Sequence, residues 1–138
     1  MRVLLTLALM AFGAAAQTQP ATLSGSVTHV RDVDTIEVRG QAIRLQGLDG
    51  PELGTRAGQD GLRFVERLLR GRQVACSLTG ERSYDRWIGT CSVDGTDLGA
   101  IIVGEGYALD CARYSGGRYA HLETPAARSR LPRSGYCR

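Results

Sequence analysis

The chain has 138 residues, a formal charge of +3, 43% hydrophobic and 22% charged residues. That length suffices for one domain and excludes two. Beyond the N-terminal segment, no stretch is long and apolar enough to span a membrane.

The chain opens with MRVLLTLALMAFGAAAQ, which reads as a secretory signal. Arg2 is the charged start, Val3 to Phe12 the apolar segment, and Ala14-Ala15-Ala16 the small-residue cleavage site. Residues 1–16 are then a signal peptide, and residues 17–138 a single domain with one modest core. Next comes ATLSGSVTHV, a strand-like run, followed by DTIEV and QAIRLQGL, split by Arg39-Gly40 as in a hairpin. LDGPELG breaks the pattern at Gly50, Pro51 and Gly54. GLRFVERLLRG reads as a helix, with Leu62, Val65, Leu68 and Leu69 on one stripe and Gly71 at its stop. RQVACSL is a strand, TGERSYDR a polar loop and WIGTCSV another strand. Asp97 is placed to cap a helix over LGAIIVGE, and Thr124-Pro125 to start a last short one. Strands this short must cover or close their edges. The order strand-strand-strand-helix-strand-strand therefore predicts an α+β fold: a five-stranded OB-fold β-barrel with about three helices.

Four cysteines in an exported chain predict two disulfides. A hairpin between the fourth and fifth strands would join Cys76–Cys91, leaving Cys111–Cys137 to tie down the C-terminus. Zinc is disfavoured, because there is no C-x-x-C and His29 and His121 are the only histidines. All 17 basic residues are arginine, and six of them lie from Ala112 to Arg138 against one acid, Glu123. A basic tail of that kind suits a polyanion.

Three clusters carry candidate chemistry. In VRDVDTIEV, alternation along a strand puts Asp32 and Asp34 on the face of Ile36 and Val38. Two carboxylates there call for a positive partner. If Arg39-Gly40 is a two-residue turn, Thr35 pairs with Arg44, one rung from Asp34. Asp49 can converge on Asp34 only if the chain curls back at Gly47 and Gly50-Pro51. Asp34, Asp49 and backbone carbonyls of the DGPE turn would then form a calcium or magnesium site completed by water. Glu52 is placed as a general base on a metal-bound water, and Arg44 and Arg86 as planar donors to phosphate oxygens.

VRDVDTIEV, IRLQGLDGPE and YDRWIGTCSVDGTDLGAIIVGEGYA, in that order, resemble the staphylococcal (thermo)nuclease family over about Ser24 to Tyr114. The resemblance implies a calcium-dependent enzyme on an OB-fold barrel with three helices that cleaves DNA and RNA. It implies that Asp34 and Asp49 hold calcium with the carbonyl of Gly50, and that Arg44 and Arg86 hold the scissile phosphate. Glu52 would be the general base, Asp32 an acid beside the metal ligands, and Tyr84 and Tyr114 would line the nucleotide site. Departures stand out. Val33 and Gly50 replace a usual glycine and a usual threonine, and Asp85 replaces a glycine where it can pair with Arg86. The YDR loop looks shorter, no lysine supports the phosphate, and the four cysteines are additional. The expectation is a secreted or periplasmic monomeric nuclease acting on DNA or RNA. The rivals are a non-catalytic OB-fold module for nucleic acid or another polyanion, and a disulfide-stapled domain that binds calcium only for stability.

Overall fold

The computed structural model describes residues 21–138, so the signal-like segment 1–16 lies outside the described residues. Strands β1 (Thr22–Asp32), β2 (Thr35–Val38), β3 (Gln41–Leu45) and the short β4 (Leu48–Asp49) precede helix α1 (Arg56–Leu69). Then come β5 (Gln73–Ser83), β6 (Arg86–Val93), β7 (Thr96–Asp97), α2 (Leu98–Gly104), β8 (Leu109–Asp110), α3 (Ala112–Ser115) and α4 (Pro125–Arg130). Single 3-10 turns occupy Ala120–Leu122 and Gly135–Cys137. The architecture is mixed α+β with a sheet-rich core. It has four α-helices among the described residues, the short α3 being the one the sequence pattern did not suggest.

β1 is long enough to serve two neighbours. Its first half pairs antiparallel with β5 and its second half with β2. β2 and β3 pair in the expected register, Val38 opposite Gln41 and Thr35 opposite Arg44. Arg39 and Gly40 take φ 52° and 79°, both positive, as a type I′ hairpin turn requires. β6 pairs antiparallel with β5 and parallel with β3. The pairings thus run β3-β2-β1-β5-β6 and return to β3, a closed circuit that leaves those strands no long free edge.

Alternation along the strands turns Val74, Cys76 and Leu78 of β5, and Ile36 and Val38 of β2, inward. Val65 and Leu69 of α1 and Leu98, Ile102 and Val103 of α2 complete the main core. A smaller cluster of Leu109, Ala127 and Leu131 holds the C-terminal segment. The caps explain the helix starts. α1 begins before the leucine stripe because the Thr55 hydroxyl accepts the Gly58 amide at 3.0 Å. Asp97 caps α2 through the Gly99 and Ala100 amides, and Thr124 caps α4 with Pro125 in its first turn.

Two expectations need correction. Asp32 and Asp34 do not share a strand face: β1 ends at Asp32 and a turn at Val33-Asp34 leads into β2. The Asp32 carboxylate accepts the Asp34 amide at 3.0 Å, the local bond by which aspartate favours a turn over a continuous strand. The TGERSYDR segment is mostly strand rather than loop, since β5 runs to Ser83 and only Tyr84-Asp85 make the turn to β6.

Both expected disulfides are present, Cys76–Cys91 across facing positions of β5 and β6, and Cys111–Cys137 between the start of α3 and the last 3-10 turn. Among the described residues no helix is long and apolar enough to cross a membrane. Replacing Cys76 and Cys91 by serine removes a link across 15 residues and should cost about 3 kcal/mol in urea unfolding. An unchanged midpoint would show that the β5–β6 hairpin does not depend on it.

Candidate active site

A cleft of about 910 Å³ opens beside the β1–β2 turn, the last residues of β3 and the first residues of β6. Its walls bring together Asp34 from the β1–β2 turn, Arg44 from β3, Glu52 from the segment before α1 and Arg86 at the start of β6. The strand register does this. Arg44 lies opposite Thr35 in β2 and beside Ile88 of β6, two residues beyond Arg86.

Asp34 is the joint. It is 5% exposed, forms an ion pair with Arg44 through Oδ2, and accepts the Thr35 hydroxyl on Oδ1 at 3.1 Å. Thr35 Oγ1 in turn accepts Arg86 Nη1 at 3.2 Å. Arg86 also donates to the Ser83 carbonyl and hydroxyl at 3.3 and 3.0 Å, and Arg44 Nη2 to the Leu48 carbonyl at 3.2 Å. One buried carboxylate therefore fixes two guanidinium groups, one directly and one through a threonine. Burial pushes the Asp34 carboxyl up to about 6, more than the opposing pull of Arg44, and the Asp32 charge adds to the rise. Burial is the largest single influence on Arg44 and works to lower its pKa. The charge and hydrogen bond of Asp34, with smaller contributions from its other neighbours, together outweigh it, and the guanidinium ends above its ordinary value.

Asp32, Gly50, Tyr84 and Tyr114 also line the cleft. Asp85 does not engage Arg86 as anticipated. It pairs with Arg31 at 2.8 Å, and Arg31 bridges on to Glu37 at 2.7 Å. Arg31 holds the Asp85 carboxyl below its usual range, and Arg86 keeps its polar contacts to Thr35 and Ser83. Tyr84 has φ 57° and stands 93% exposed at the tip of its turn, a strained backbone for a bulky residue.

Asp49 is placed differently from Asp34. It is 2% exposed and its oxygens accept the Ser134 amide at 2.8 Å and hydroxyl at 2.7 Å. Its carboxylate is not part of the cleft wall, and among the described residues no three His, Cys, Asp or Glu side chains cluster tightly enough to hold a metal by themselves. The donors that do converge are hard oxygens. The Gly50 backbone passes so close to Asp34 that a Cβ there would lie 2.7 Å from Oδ2. A buried carboxylate with a raised pKa beside a bare backbone suits an oxygen-binding cation such as calcium. Asp34 and the Gly50 backbone fit that role, but Asp49, expected to converge on Asp34, has its carboxylate turned to Ser134 and does not join them in this arrangement.

The same close approach accounts for two departures from the resembled pattern at once. Val33 is 1% exposed, and its methyl group fills the space a side chain on residue 50 would take, while its other methyl lies against Gly61. Valine at 33 and glycine at 50 are one exchange of volume. Gly58 similarly lets the first turn of α1 approach the Glu52 carbonyl where no side chain would fit, and so holds Glu52 at the cleft.

Sequence reasoning gave Thr35 no role beyond its pairing with Arg44, and missed Ser83, Ser134 and Tyr136. Ser83 lies opposite Arg86 in the β5–β6 hairpin, whereas the contact of Thr35 with Arg86 depends on β3 lying between β2 and β6. Ser134 and Tyr136 lie far along the chain and carried no local signal.

No family model matches the chain. Among curated proteins it is similar to the succinoglycan biosynthesis protein ExoI of Rhizobium meliloti strain 1021, 29% identical over 109 residues that cover 70% of this chain and 57% of the relative. The chain thus spans little more than half the length of that relative.

Gly50→Thr alone should destabilise by about 1–3 kcal/mol through overpacking, and Val33→Gly in the same molecule should recover much of that loss in urea unfolding. Strictly additive costs would contradict the shared space. Asp34 binds its proton more tightly folded than unfolded, so its contribution to stability is full below about pH 3.8 and is lost as pH rises through about 6. In chelator, melting temperatures of Asp34→Asn should vary less across that window than those of the parent protein; identical profiles would contradict the assignment.

Proposed function

We propose that the protein is an exported, calcium-assisted nuclease that hydrolyses phosphodiester bonds of DNA or RNA. The observation that carries the reading is the pair of guanidinium groups tied through Asp34 and Thr35 on one cleft wall, with Glu52 on the same cleft. The closed circuit of strand pairings supports an OB-type barrel as the scaffold, and two disulfides suit a secreted or periplasmic location.

In this reading Arg44 and Arg86 grip the non-bridging phosphate oxygens in planar, charge-assisted bonds. As water adds to phosphorus, negative charge gathers on those oxygens, and donors already fixed in place lower the barrier without reorganising. Glu52 takes the proton of the attacking water, the bond from phosphorus to the leaving oxygen breaks, and the departing oxygen takes a proton from solvent to leave as an alcohol. Asp34 and the Gly50 carbonyl would hold calcium, which supplies positive charge beside the reacting phosphate. Tyr84 and Tyr114 flank the nucleotide.

A second reading is a non-catalytic module that holds nucleic acid or another polyanion. Its support is the run of arginines in the C-terminal region.

Incubation with single-stranded DNA separates the two. Cleavage in calcium that stops in chelator is expected, and Glu52→Gln or Arg86→Ala should lower turnover roughly a hundredfold or more with the fold intact. Retention of the strand without cleavage would support the binding module. Undiminished turnover by Arg86→Ala would overturn the proposed phosphate grip.

A further inference from the structure

Among the described residues, the large apolar side chains left substantially exposed are Leu53, Tyr84, Tyr114 and Tyr136, at 37%, 93%, 52% and 53%. All of them line the same cleft as Arg44 and Arg86. Isolated exposed aromatics need no explanation, but three tyrosines from three distant segments meeting beside two arginines do.

Tyr136 is the one that nothing in the sequence pattern assigned. It belongs to a C-terminal strap fastened at nearly every other position. The Arg133 guanidinium is held by both Glu123 carboxylate oxygens, at 2.7 and 2.8 Å, and donates to the Asp110 carbonyl. Ser134 donates both its amide and its hydroxyl to Asp49. Cys137 is buried and bonded to Cys111, the residue that precedes the helix carrying Tyr114. Between these attachments Tyr136 is left half exposed, lining the cleft that Arg44 also lines. The Cys111–Cys137 link braces the segments of Tyr114 and Tyr136 against each other, so two aromatic faces are offered at little further cost in conformational entropy.

We propose that Tyr136 is a nucleobase-stacking residue, and that with Tyr84 and Tyr114 it makes the cleft a site for single-stranded nucleic acid with its bases unpaired. The inference rests on the nuclease reading of the cleft and extends it to an additional base subsite. Tyr136 and Arg44 line one cleft, so a base stacked on the ring keeps its adjoining phosphate within the cleft that holds the guanidinium. Stacking on an aromatic face tolerates any base, which fits a reader of strands rather than of sequences. In a paired duplex those base faces are already covered.

Binding is to be measured in chelator, so that no strand is cut, with a fluorescent oligothymidylate and an abasic strand of the same length. The abasic strand reports phosphate contacts alone. The protein should bind the oligothymidylate more tightly, and Tyr136→Leu should weaken that binding roughly tenfold while leaving the abasic strand and the melting temperature nearly unchanged. Tyr136→Phe, which keeps the ring, should retain the preference. Equal affinities of Tyr136→Leu and the parent protein for oligothymidylate would overturn the inference and leave the cleft reading standing. An equal loss on both strands would make Tyr136 a support for Arg44 instead and would also overturn it. Failure of the parent protein to favour oligothymidylate over the abasic strand would overturn the inference, while cleavage of single-stranded DNA in calcium decides the nuclease reading separately.

Discussion

At the base of the cleft, the Asp34 carboxylate is almost wholly withdrawn from water and is compensated by Arg44 on one oxygen and Thr35 on the other. Withdrawing a charge in this way costs several kcal/mol unless partners make up for the lost solvent. The upward shift of its pKa indicates that compensation is incomplete. That incompleteness gives the site its character. A carboxylate already satisfied would have no call for a further cation, and a solvated one would bind it weakly. Because Thr35 passes the arrangement on to Arg86, the same residue also sets the spacing of the two guanidinium groups. In the proposed reading, metal attraction and phosphate recognition would both draw on one buried charge and its immediate partners.

The strand circuit supplies the rigidity this needs. Arg44 and Arg86 stand on adjoining strands, β3 and β6, that pair in parallel, and the turn bearing Asp34 is fixed by the bond from its amide to Asp32. The C-terminal strap closes the far side. Ser134 occupies Asp49, and the Cys111–Cys137 bond holds the strap against α3. A chain with a modest core has few other means of ordering its last residues, and here the ordering device also shapes the cleft.

Much of the fold was legible because its signals are local. The Arg39-Gly40 turn fixed the β2–β3 register, and with it the opposition of Thr35 and Arg44. Asp97 and Thr124 announced their helices as caps, and the cysteine spacing matched a hairpin. Closure of the sheet was expected from its short strands, but no residue pattern marked β3 and β6 as the parallel pair that makes it, since the two lie far apart in sequence. Asp32 was misread because alternation and an aspartate turn use the same residues, and only the turn satisfies the Asp34 amide. Asp85 was misread because its neighbour in the chain, Arg86, is not its neighbour in charge; Arg31, from β1, is. The turn of the Asp49 side chain toward Ser134 depends on a contact across 85 positions and had no sequence signature at all.

The central claim is that one cleft gathers a divalent cation at Asp34 and a phosphate between Arg44 and Arg86. The most direct measurement is a crystal structure with calcium and a non-cleavable dinucleotide. The account predicts an ion about 2.3–2.6 Å from an Asp34 oxygen, with the internucleotide phosphate bridging the two guanidinium groups. Calcium bound elsewhere, with the Asp34–Arg44 pair undisturbed and the dinucleotide outside the cleft, would contradict it.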